Sequence, residues 1–359
     1  MKDLDRHQSS KSQSPRLIKC VVWDLDNTLW HGILMEDTAV RLRDEVIDTL
    51  RTLDARGILH SIASRSDLGA AKEKLNEFGL FEYFLYPQIN WNSKESSIQA
   101  IADSLGISLD AIAFVDDDPF ERAAVTFSFP AVLCLDATDL ASMVAMPELS
   151  PRVITADAQV RRRQYQSNVL RENAEKDFIG SQEDFLATLG MVFDIAPAEE
   201  GDLERAEELT VRTHQLNSTG YTYSLDQLNQ FRESKLHKLL IASLRDKFGS
   251  YGKIGLALIE CNESVWTLKL LLMSCRVISR GVGTILLNHV MKEASNQDVV
   301  LRAEFVPTDR NRMMYVAYKF AGFKEKEKRG DCVILESDLA RRQPPPAYVS
   351  IHSCFVPSN

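Results

Sequence analysis

An apolar run that ends in two neighbouring carboxylates constrains this chain more than any other feature. Val21, Val22 and Trp23 are typical of a buried parallel strand, and they lead directly into Asp24 and Asp26. Negative charges at the end of a buried strand need a positive partner. The spacing suits phosphoryl transfer, in which one carboxylate attacks the phosphoryl group, the second handles the proton of the leaving group, and Mg²⁺ stabilises the developing charge. A Ca²⁺ loop or a helix cap would also explain an aspartate pair.

Three further segments supply the other groups that such a site needs. The apolar run 58–64 ends in Ser64, whose hydroxyl can bind a phosphoryl oxygen or can cap the helix predicted from residue 67. Lys94 offers a point charge to the phosphate and to the nucleophile, although on its own it would be interpreted as a surface lysine. The run 111–115 leads into Asp116 and Asp117, and Mg²⁺ prefers oxygen ligands with few protein carboxylates.

The order of these segments predicts one α/β sheet with all of these groups at the carboxyl ends of its strands, where open sheets bind ligands. Helices are predicted over 44–56, 67–78 and 95–105, the last two ending at Gly79 and Gly106. The span between Trp30 and Ile58 has room for a short loop and one helix but not for a cap domain. We therefore expect an open site that admits a large substrate or that another domain helps to cover.

In type and order, these motifs resemble those of the haloacid dehalogenase-like phosphohydrolases. The resemblance implies a capless Rossmannoid domain over residues 17–150, with Asp24 as nucleophile, Asp26 as general acid and base, and Ser64 and Lys94 binding phosphate. The metal ligands it implies for Mg²⁺ are Asp24, Asp26, Asp116 and Asp117.

Length, charge and composition set the remaining limits. The 359 residues suffice for two domains, and a net charge of −9 argues against nucleic acid as a partner. No apolar run is long enough to cross a membrane, and six scattered cysteines suit reduced thiols in a cytoplasmic protein. Residues 1–16 are predicted to be a disordered arm, and the proline-rich tail 341–359 is predicted to be irregular. A helical connector is expected over 151–190, where the arginines at 161–163 would form a solvated face.

The remaining region, 191–340, carries different signals. A strand is predicted over 265–274, followed by Cys275, Arg276, Gly281 and Gly283 and then by a helix over 284–293. Glycines before a helix allow backbone N–H groups to approach a phosphate, although a tight turn explains them too. Together with the helix and Gly-Phe turn of 311–323, this region resembles the GNAT acyltransferases, which bind the pyrophosphate and pantetheine arm of acyl-CoA. The resemblance implies a GNAT-like α/β domain with a pantetheine groove.

The two regions together resemble the FkbH-like family, through segments 23–30, 116–123, 212–219 and 273–277. That family's activity would be transfer of a glyceryl unit from 1,3-bisphospho-D-glycerate to the phosphopantetheine thiol of an acyl carrier protein, with dephosphorylation, for a polyketide assembly line. Cys275 would carry a transient glyceryl thioester, helped by the cation of Arg276; alternatively the carrier thiol attacks directly and Cys275 is inert.

A polar group near the end of a predicted helix is expected to bind the glyceryl hydroxyls or the pantetheine: His214, Gln215, Asn217 and Thr219. A capping network explains these four residues nearly as well.

Two other functions compete with the bifunctional one. A stand-alone Mg²⁺-dependent phosphatase would release phosphate without any carrier, and a non-catalytic scaffold would only dock a pantetheine arm. The complete set of acids with Ser64 and Lys94 argues against the scaffold, since a binding module has no use for it.

Overall fold

The computed structural model describes residues 16–341 and 344–353, and the chain forms two compact units that adjoin in sequence between Gln166 and Ser167. The predicted disordered arm, except for Arg16, and Cys354 lie outside the described residues. None of the helices within the described ranges has the length and apolar character that a membrane crossing requires.

The first unit alternates strands and helices. Its elements, in chain order, are β1 (Cys20–Trp23), β2 (Trp30–His31), β3 (Arg41–Leu42), α1 (Val46–Ala55), β4 (Leu59–Ser64), α2 (Leu68–Glu77), β5 (Gln88–Ile89), α3 (Lys94–Leu105), β6 (Ile112–Asp116), α4 (Pro119–Ser128), β7 (Leu133–Asp136), α5 (Leu140–Met143) and α6 (Ala156–Gln159). Helix α7 (Arg161–Lys176) begins in this unit and ends in the second.

A parallel sheet in the order β5-β4-β1-β6-β7 forms the centre of the first unit. Strand β1 is buried on both faces: Val21 and Trp23 pack in one core cluster, and Cys20 and Val22 pack in another. This two-sided burial explains why its sequence is continuously apolar instead of alternating. Cys20 is therefore a core residue. The α/β class and the Rossmann-like sheet predicted from the sequence are confirmed.

The stretch between β1 and β4 contains no cap domain. Between Trp30 and Ile58, all of which the structure describes, the chain forms the two-stranded ribbon β2-β3 and helix α1. The carboxyl ends of β1, β4 and β6 are therefore not covered by an inserted domain from this span, as the short spacing predicts.

The second unit is built on a long mixed sheet. Its elements after α7 are α8 (Gln182–Thr188), β8 (Met191–Pro197), α9 (Leu203–Arg212), α10 (Leu225–Glu233), β9 (His237–Asp246), β10 (Gly249–Cys261), β11 (Val265–Met273), α11 (Ile285–Asn296), β12 (Val300–Phe305), α12 (Arg312–Phe320), β13 (Phe323–Arg329), β14 (Cys332–Ser337) and β15 (Val349–Ser353).

These eight strands follow the order β13-β14-β12-β11-β10-β9-β8-β15. The pairs β11-β12 and β8-β15 are parallel, whereas the other neighbours are antiparallel. The strand, helix and closing turn predicted in this region are present as β11, α11 and α12, and Gly322 follows α12 with φ of 88°. The second unit is thus also α/β, as predicted.

The prediction of an irregular tail is wrong for residues 349–353. They form β15, which pairs with β8 from Val349↔Met191 to Ser353↔Ile195. The edge of β8 offers unpaired backbone groups, and Val349 buries its side chain in the core of the unit. The three consecutive prolines upstream obscured this short strand in the sequence.

The predicted connector does not form a separate body. Its residues up to Gln166 belong to the first unit and those from Ser167 onward to the second. The expected solvated face at 161–163 is wrong for its first residue, because Arg161 is buried and donates to the Gly57 carbonyl at 2.9 Å. Arg162 forms an ion pair with Asp54 at 3.1 Å. These arginines fix the start of α7 within the first unit.

Candidate active site

Asp24 and Lys94 form the centre of the site. Asp24 directly follows β1, and its amide donates to the Val115 carbonyl at 2.9 Å, which holds it at the end of the sheet. Lys94, at the start of α3, points its Nζ to Asp24 Oδ1, to the Ala63 carbonyl at 2.8 Å and to Asp116 Oδ2 at 3.1 Å. With 4% of its surface exposed, Lys94 is not a surface lysine.

Asp116 and Asp117 approach the site from the end of β6. Asp116 is buried, and its Oδ1 accepts from the Asp118 amide at 2.8 Å. The amide of Asp117 donates to Thr28 Oγ1 at 3.1 Å, and this hydroxyl donates to Asp117 Oδ1 at 3.3 Å. Thr28 thereby joins the β1 loop to the β6 loop. Thr28 lies two residues after Asp26, and its role was not predicted from the sequence.

The carboxylates of Asp24, Asp116 and Asp117 together fit a metal ion. One oxygen from each lies within 4.8 Å of the others. Burial, together with the negative charge of Asp116, raises the pKa of Asp24 to about 6 although Lys94 opposes the shift. Burial likewise raises the pKa values of Asp116 and Asp117. Three carboxylates facing one lysine leave excess negative charge, and an all-oxygen set of this kind suits Mg²⁺. Magnesium is therefore the cofactor that this site fits.

The structure does not bring the carboxylate of Asp26 into this group of three, and its role as a metal ligand stays a prediction. Asp26 Oδ1 instead accepts from Trp30 Nε1 at 2.8 Å and from the Leu34 amide at 3.0 Å. Both donors bind the same oxygen, Oδ1, and hold the carboxylate in the loop after β1. Its predicted role as general acid and base remains a prediction.

Ser64 lies at the end of β4 and forms a side-chain hydrogen bond with Asp24, which lowers the pKa of that carboxyl. The alternative, in which Ser64 caps the next helix, is wrong. The cap of α2 is Asp67, whose carboxylate accepts from the Ala70 amide at 2.8 Å. Asp24, Ser64, Lys94, Asp116 and Asp117 thus meet at one edge of the sheet.

In the second unit, Cys275 is half-buried and follows β11 at the start of a 3-10 turn, Cys275–Arg280. Arg276 Nε lies 3.5 Å from Ser274 Oγ. Arg280, one turn further on, is buried and pairs with Glu175 at 3.4 Å. No disulfide joins the cysteines of the described ranges. The nucleophilic role of Cys275 remains a prediction.

The four polar residues after α9 separate into two kinds. His214 and Gln215 are exposed, whereas Asn217 and Thr219 are buried. Asn217 Oδ1 accepts from the amides of Thr219 at 3.1 Å and Gly220 at 2.9 Å. For Asn217 the capping network predicted as the alternative is therefore present, because its side chain satisfies the backbone of its own turn.

Asn311 completes this turn and was missed as an individual residue in the sequence. It is buried, and its Nδ2 donates to the carbonyls of Asn217 at 3.0 Å and Val306 at 2.9 Å. Its Oδ1 accepts from the Thr308 amide at 2.9 Å. The only signal in the sequence was an asparagine directly before a predicted helix, which is common at helix starts.

Of the two glycines before α11, the local structure requires only the first to be glycine. Gly281 has φ of 69°, and a side chain there would collide with the hydroxyl of Tyr348. The tight-turn explanation therefore suffices for Gly281. A Cβ at Gly283 would meet open space, so packing does not require glycine at that position.

No protein-family model matches the chain. Magnesium-dependent phosphatase 1 of Homo sapiens is 31% identical over 139 residues, a match that covers 33% of this chain and 78% of that protein. A solved structure of the N-terminal part of the protein BF1531 from Bacteroides fragilis, which contains a phosphatase domain complexed with Mg, is 26% identical with a TM-score of 0.35. It covers 38% of this chain, and the chain spans 42% of the Bacteroides chain.

Other similar structures are acetyltransferases. The ribosomal-protein-S18-alanine N-acetyltransferase of Escherichia coli is 18% identical, with a TM-score of 0.33 and coverage of 40% of this chain and 92% of that chain. PaiA N-acetyltransferase of Thermoplasma acidophilum, solved with coenzyme A, is 17% identical with a TM-score of 0.33, covering 40% of this chain and 98% of that chain. The extent and identity of the match to the human phosphatase show that this chain belongs to the magnesium-dependent phosphatase 1 family, a haloacid dehalogenase-like family.

Proposed function

We propose that the first unit is a Mg²⁺-dependent phosphatase in which Asp24 is the nucleophile. The observation that carries this proposal is the convergence of Asp24, Ser64, Lys94, Asp116 and Asp117 at one sheet edge. A binding module has no need of a buried carboxylate held against a buried lysine, because burying both charges is costly.

The chain's own residues account for the two chemical steps. Asp24 attacks the phosphorus atom, so that a bond forms between its carboxylate oxygen and phosphorus while the bond from phosphorus to the leaving oxygen breaks. Asp26 donates a proton to that leaving oxygen. Water then attacks the aspartyl-phosphate, Asp26 takes a proton from it, and inorganic phosphate leaves. Lys94 stabilises the phosphoryl oxygens, and Ser64 orients Asp24. When bound, Mg²⁺ supplies further charge stabilisation to the same oxygens.

The specific reaction that we infer is the bifunctional one. A thiolate attacks the acyl carbon of 1,3-bisphospho-D-glycerate, a carbon–sulfur bond forms while the bond from that carbon to the phosphate oxygen breaks, and inorganic phosphate leaves a phosphoglyceryl thioester. Asp24 then accepts the remaining phosphoryl group, and water releases it. The thiol belongs to the phosphopantetheine of an acyl carrier protein, either directly or after a first transfer to Cys275. The span 30–58 lacks an inserted cap, which supports a substrate delivered on a macromolecule.

Intact-protein mass spectrometry tests this proposal. The enzyme is mixed with Mg²⁺, freshly generated 1,3-bisphosphoglycerate and a phosphopantetheinylated carrier protein from the same source. We expect a dephosphorylated glyceryl adduct on the carrier. The Asp24→Asn variant should leave the phosphate on the transferred unit or stall the reaction. The Cys275→Ala variant should remove any adduct on the enzyme, and unchanged transfer would eliminate Cys275 from the mechanism.

The second candidate is a stand-alone phosphatase, which the likeness to magnesium-dependent phosphatase 1 favours. It predicts Mg²⁺-dependent release of phosphate from generic esters and no adduct on a verified cognate carrier. That result would end the transferase proposal while leaving the role of Asp24 intact.

A further inference from the structure

Helix α4 exposes two phenylalanines to solvent. Phe120 is 75% exposed and Phe127 is 89% exposed, whereas the opposite side of the helix buries Val125 in the core. Ala123 and Ala124 lie between the two rings in sequence. The spacing i, i+3, i+4, i+7 places these four residues on one helix face. We call this face the α4 stripe: Phe120, Ala123, Ala124 and Phe127.

The α4 stripe reads the same in both directions, Phe-x-x-Ala-Ala-x-x-Phe. A two-fold axis through its midpoint, perpendicular to the helix, would place Phe120 of one copy against Phe127 of another at both ends. The alanines at the centre would let the two helix backbones approach closely. Contacts between identical copies use the same patch on both sides and therefore require a self-complementary surface of this kind.

The charged residues beside the stripe already have partners within the first unit. Glu121 pairs with Arg65 at 2.7 Å. Arg122 pairs with Asp136 at 2.5 Å and donates to the Asp116 carbonyl at 2.7 Å. The stripe itself carries no charge. Covering it would therefore bury apolar surface without leaving a charge in need of a partner.

We propose that the α4 stripe is a self-association surface whose occupant is the α4 stripe of a second copy of this chain. The two phenylalanines would remove about 300 Å² of apolar surface per copy, given their exposed fractions and about 200 Å² for a buried ring. Over both copies the four phenylalanines would bury about 600 Å² and the alanines add less, so the contact stays below the about 1,000 Å² expected of a specific, stable interface and belongs to the weak class. The dimer is therefore weak and concentration-dependent.

Residues 1–15 are the competing occupant within the chain. This segment joins Arg16, which donates to the carbonyls of Ala131 and Asp110. Its sequence, however, has Met1 and Leu4 as its large apolar side chains and is otherwise polar apart from Pro15. A second stripe with two phenylalanines covers more apolar surface than such a segment does.

Sedimentation velocity on the full chain tests the proposal, at concentrations from about 1 to about 100 µM, a range suited to a contact of this size. We expect a dimer that grows with concentration. The Phe127→Glu variant should weaken it by at least tenfold, because the dimer would bury two unpaired carboxylates, one from each copy. Phe320→Glu is the matched control: Phe320 is 72% exposed near the end of α12 in the second unit, and its replacement should leave the dimer unchanged.

Several results would overturn the proposal. A full chain that stays monomeric at every concentration excludes self-association, and a dimer that tolerates Phe127→Glu uses another surface. If the chain dimerises only after deletion of residues 1–15, that segment is the occupant. If Phe127→Glu abolishes binding of a carrier protein to a monomeric enzyme, the stripe is a docking site for that different partner. Unchanged circular dichroism of both variants establishes that their folds are intact.

Discussion

Both units bury a cluster of polar side chains, but the two clusters use their hydrogen-bonding groups differently. In the first unit, Asp24, Lys94 and Asp116 face one another, and burial raises the pKa of both carboxyls. In the second unit, Asn217 and Asn311 direct their amides to backbone groups of the turns at 217–220 and 306–311. A buried polar residue therefore indicates chemistry only when charge remains in excess; when the backbone satisfies it, it indicates a structural turn.

The strongest test of this contrast is the substitution Asp24→Asn. It keeps the shape of the side chain but removes the nucleophile, so we expect phosphatase activity to fall by about 1,000-fold or more. Release of phosphate from p-nitrophenyl phosphate with saturating Mg²⁺ measures it. Asp48→Asn, an exposed position in α1, is the matched control and should keep full activity. A variant at Asp24 within tenfold of the native rate would show that another group is the nucleophile.

The corresponding substitution in the second unit is Asn217→Ala. It leaves the buried amide of Thr219 and the partly buried amide of Gly220 without an acceptor, so the free energy of unfolding of this unit should fall by about 2–3 kcal/mol. Hydrogen exchange of the β11 amides under native conditions measures this loss. Phosphate release at saturating substrate should stay at the native rate. Asn262→Ala, at an exposed position, provides the control, and equal stability of the two variants would contradict the structural role of Asn217.

The first unit also contains a buried titratable group, His60, whose two ring nitrogens both have hydrogen-bond partners. It therefore belongs with the structural residues in this comparison. Its Nδ1 accepts from Trp23 Nε1 at 3.1 Å, and its Nε2 lies 3.1 Å from the Leu50 carbonyl. Burial lowers the pKa of His60 to about 3, so the folded protein keeps the ring neutral.

The neutral, buried ring of His60 contributes to the free energy of unfolding. Because the folded-state pKa lies below the unfolded value, this contribution is complete above about pH 6.5 and is lost as the pH falls toward 3. Between pH 7 and pH 5 we expect a loss of about 2 kcal/mol from His60. Hydrogen exchange of β4 amides in the native protein and in the His60→Gln variant isolates this slope from other titrations. The same substitution at the exposed His31 is the control. If the free energy of unfolding depends on pH with the same slope in the native protein and in His60→Gln, the prediction is refuted.

The smallest expected effect concerns the metal. A carboxylate must lose its proton to bind a cation, and the pKa of Asp24 is raised to about 6. Mg²⁺ affinity should therefore fall by about tenfold between pH 7 and pH 5, as the deprotonated fraction of Asp24 falls. Titration calorimetry at both values measures this change. The Asp24→Asn variant should bind more weakly and show a flatter pH dependence; an equally steep dependence would assign the titration to Asp116 or Asp117.

Much of the catalytic edge was predictable from local patterns. Apolar runs identified β1, β4 and β6, and parallel pairing then brought Asp24, Ser64 and Asp116 to one edge. The hydrogen bonds that hold Asp26 were not predictable. The bonds that hold Asp26 come from Trp30 and Leu34 in a loop whose conformation the sequence does not specify.

Two other differences from the sequence-based expectations depend on partners that lie far away in the chain. Arg161 is buried because it meets the carbonyl of Gly57, more than 100 positions earlier in the chain. Residues 349–353 become a strand because the edge of β8 is open to them. In both cases the local sequence is polar or irregular in character, and the long-range contact overrides it.

The pairing of β15 with β8 has a consequence for the chain while it is being synthesised. His352 and Asp194, paired across these strands at 3.1 Å, are 158 positions apart. At elongation rates of about 5–20 residues per second, β8 emerges roughly 10–30 s before its partner exists. Throughout that interval a ribosome-bound chain presents one sheet edge open to other strands, while the sheet of the first unit already has all its strands. During synthesis, therefore, the second unit needs protection against pairing with foreign strands more than the first unit does.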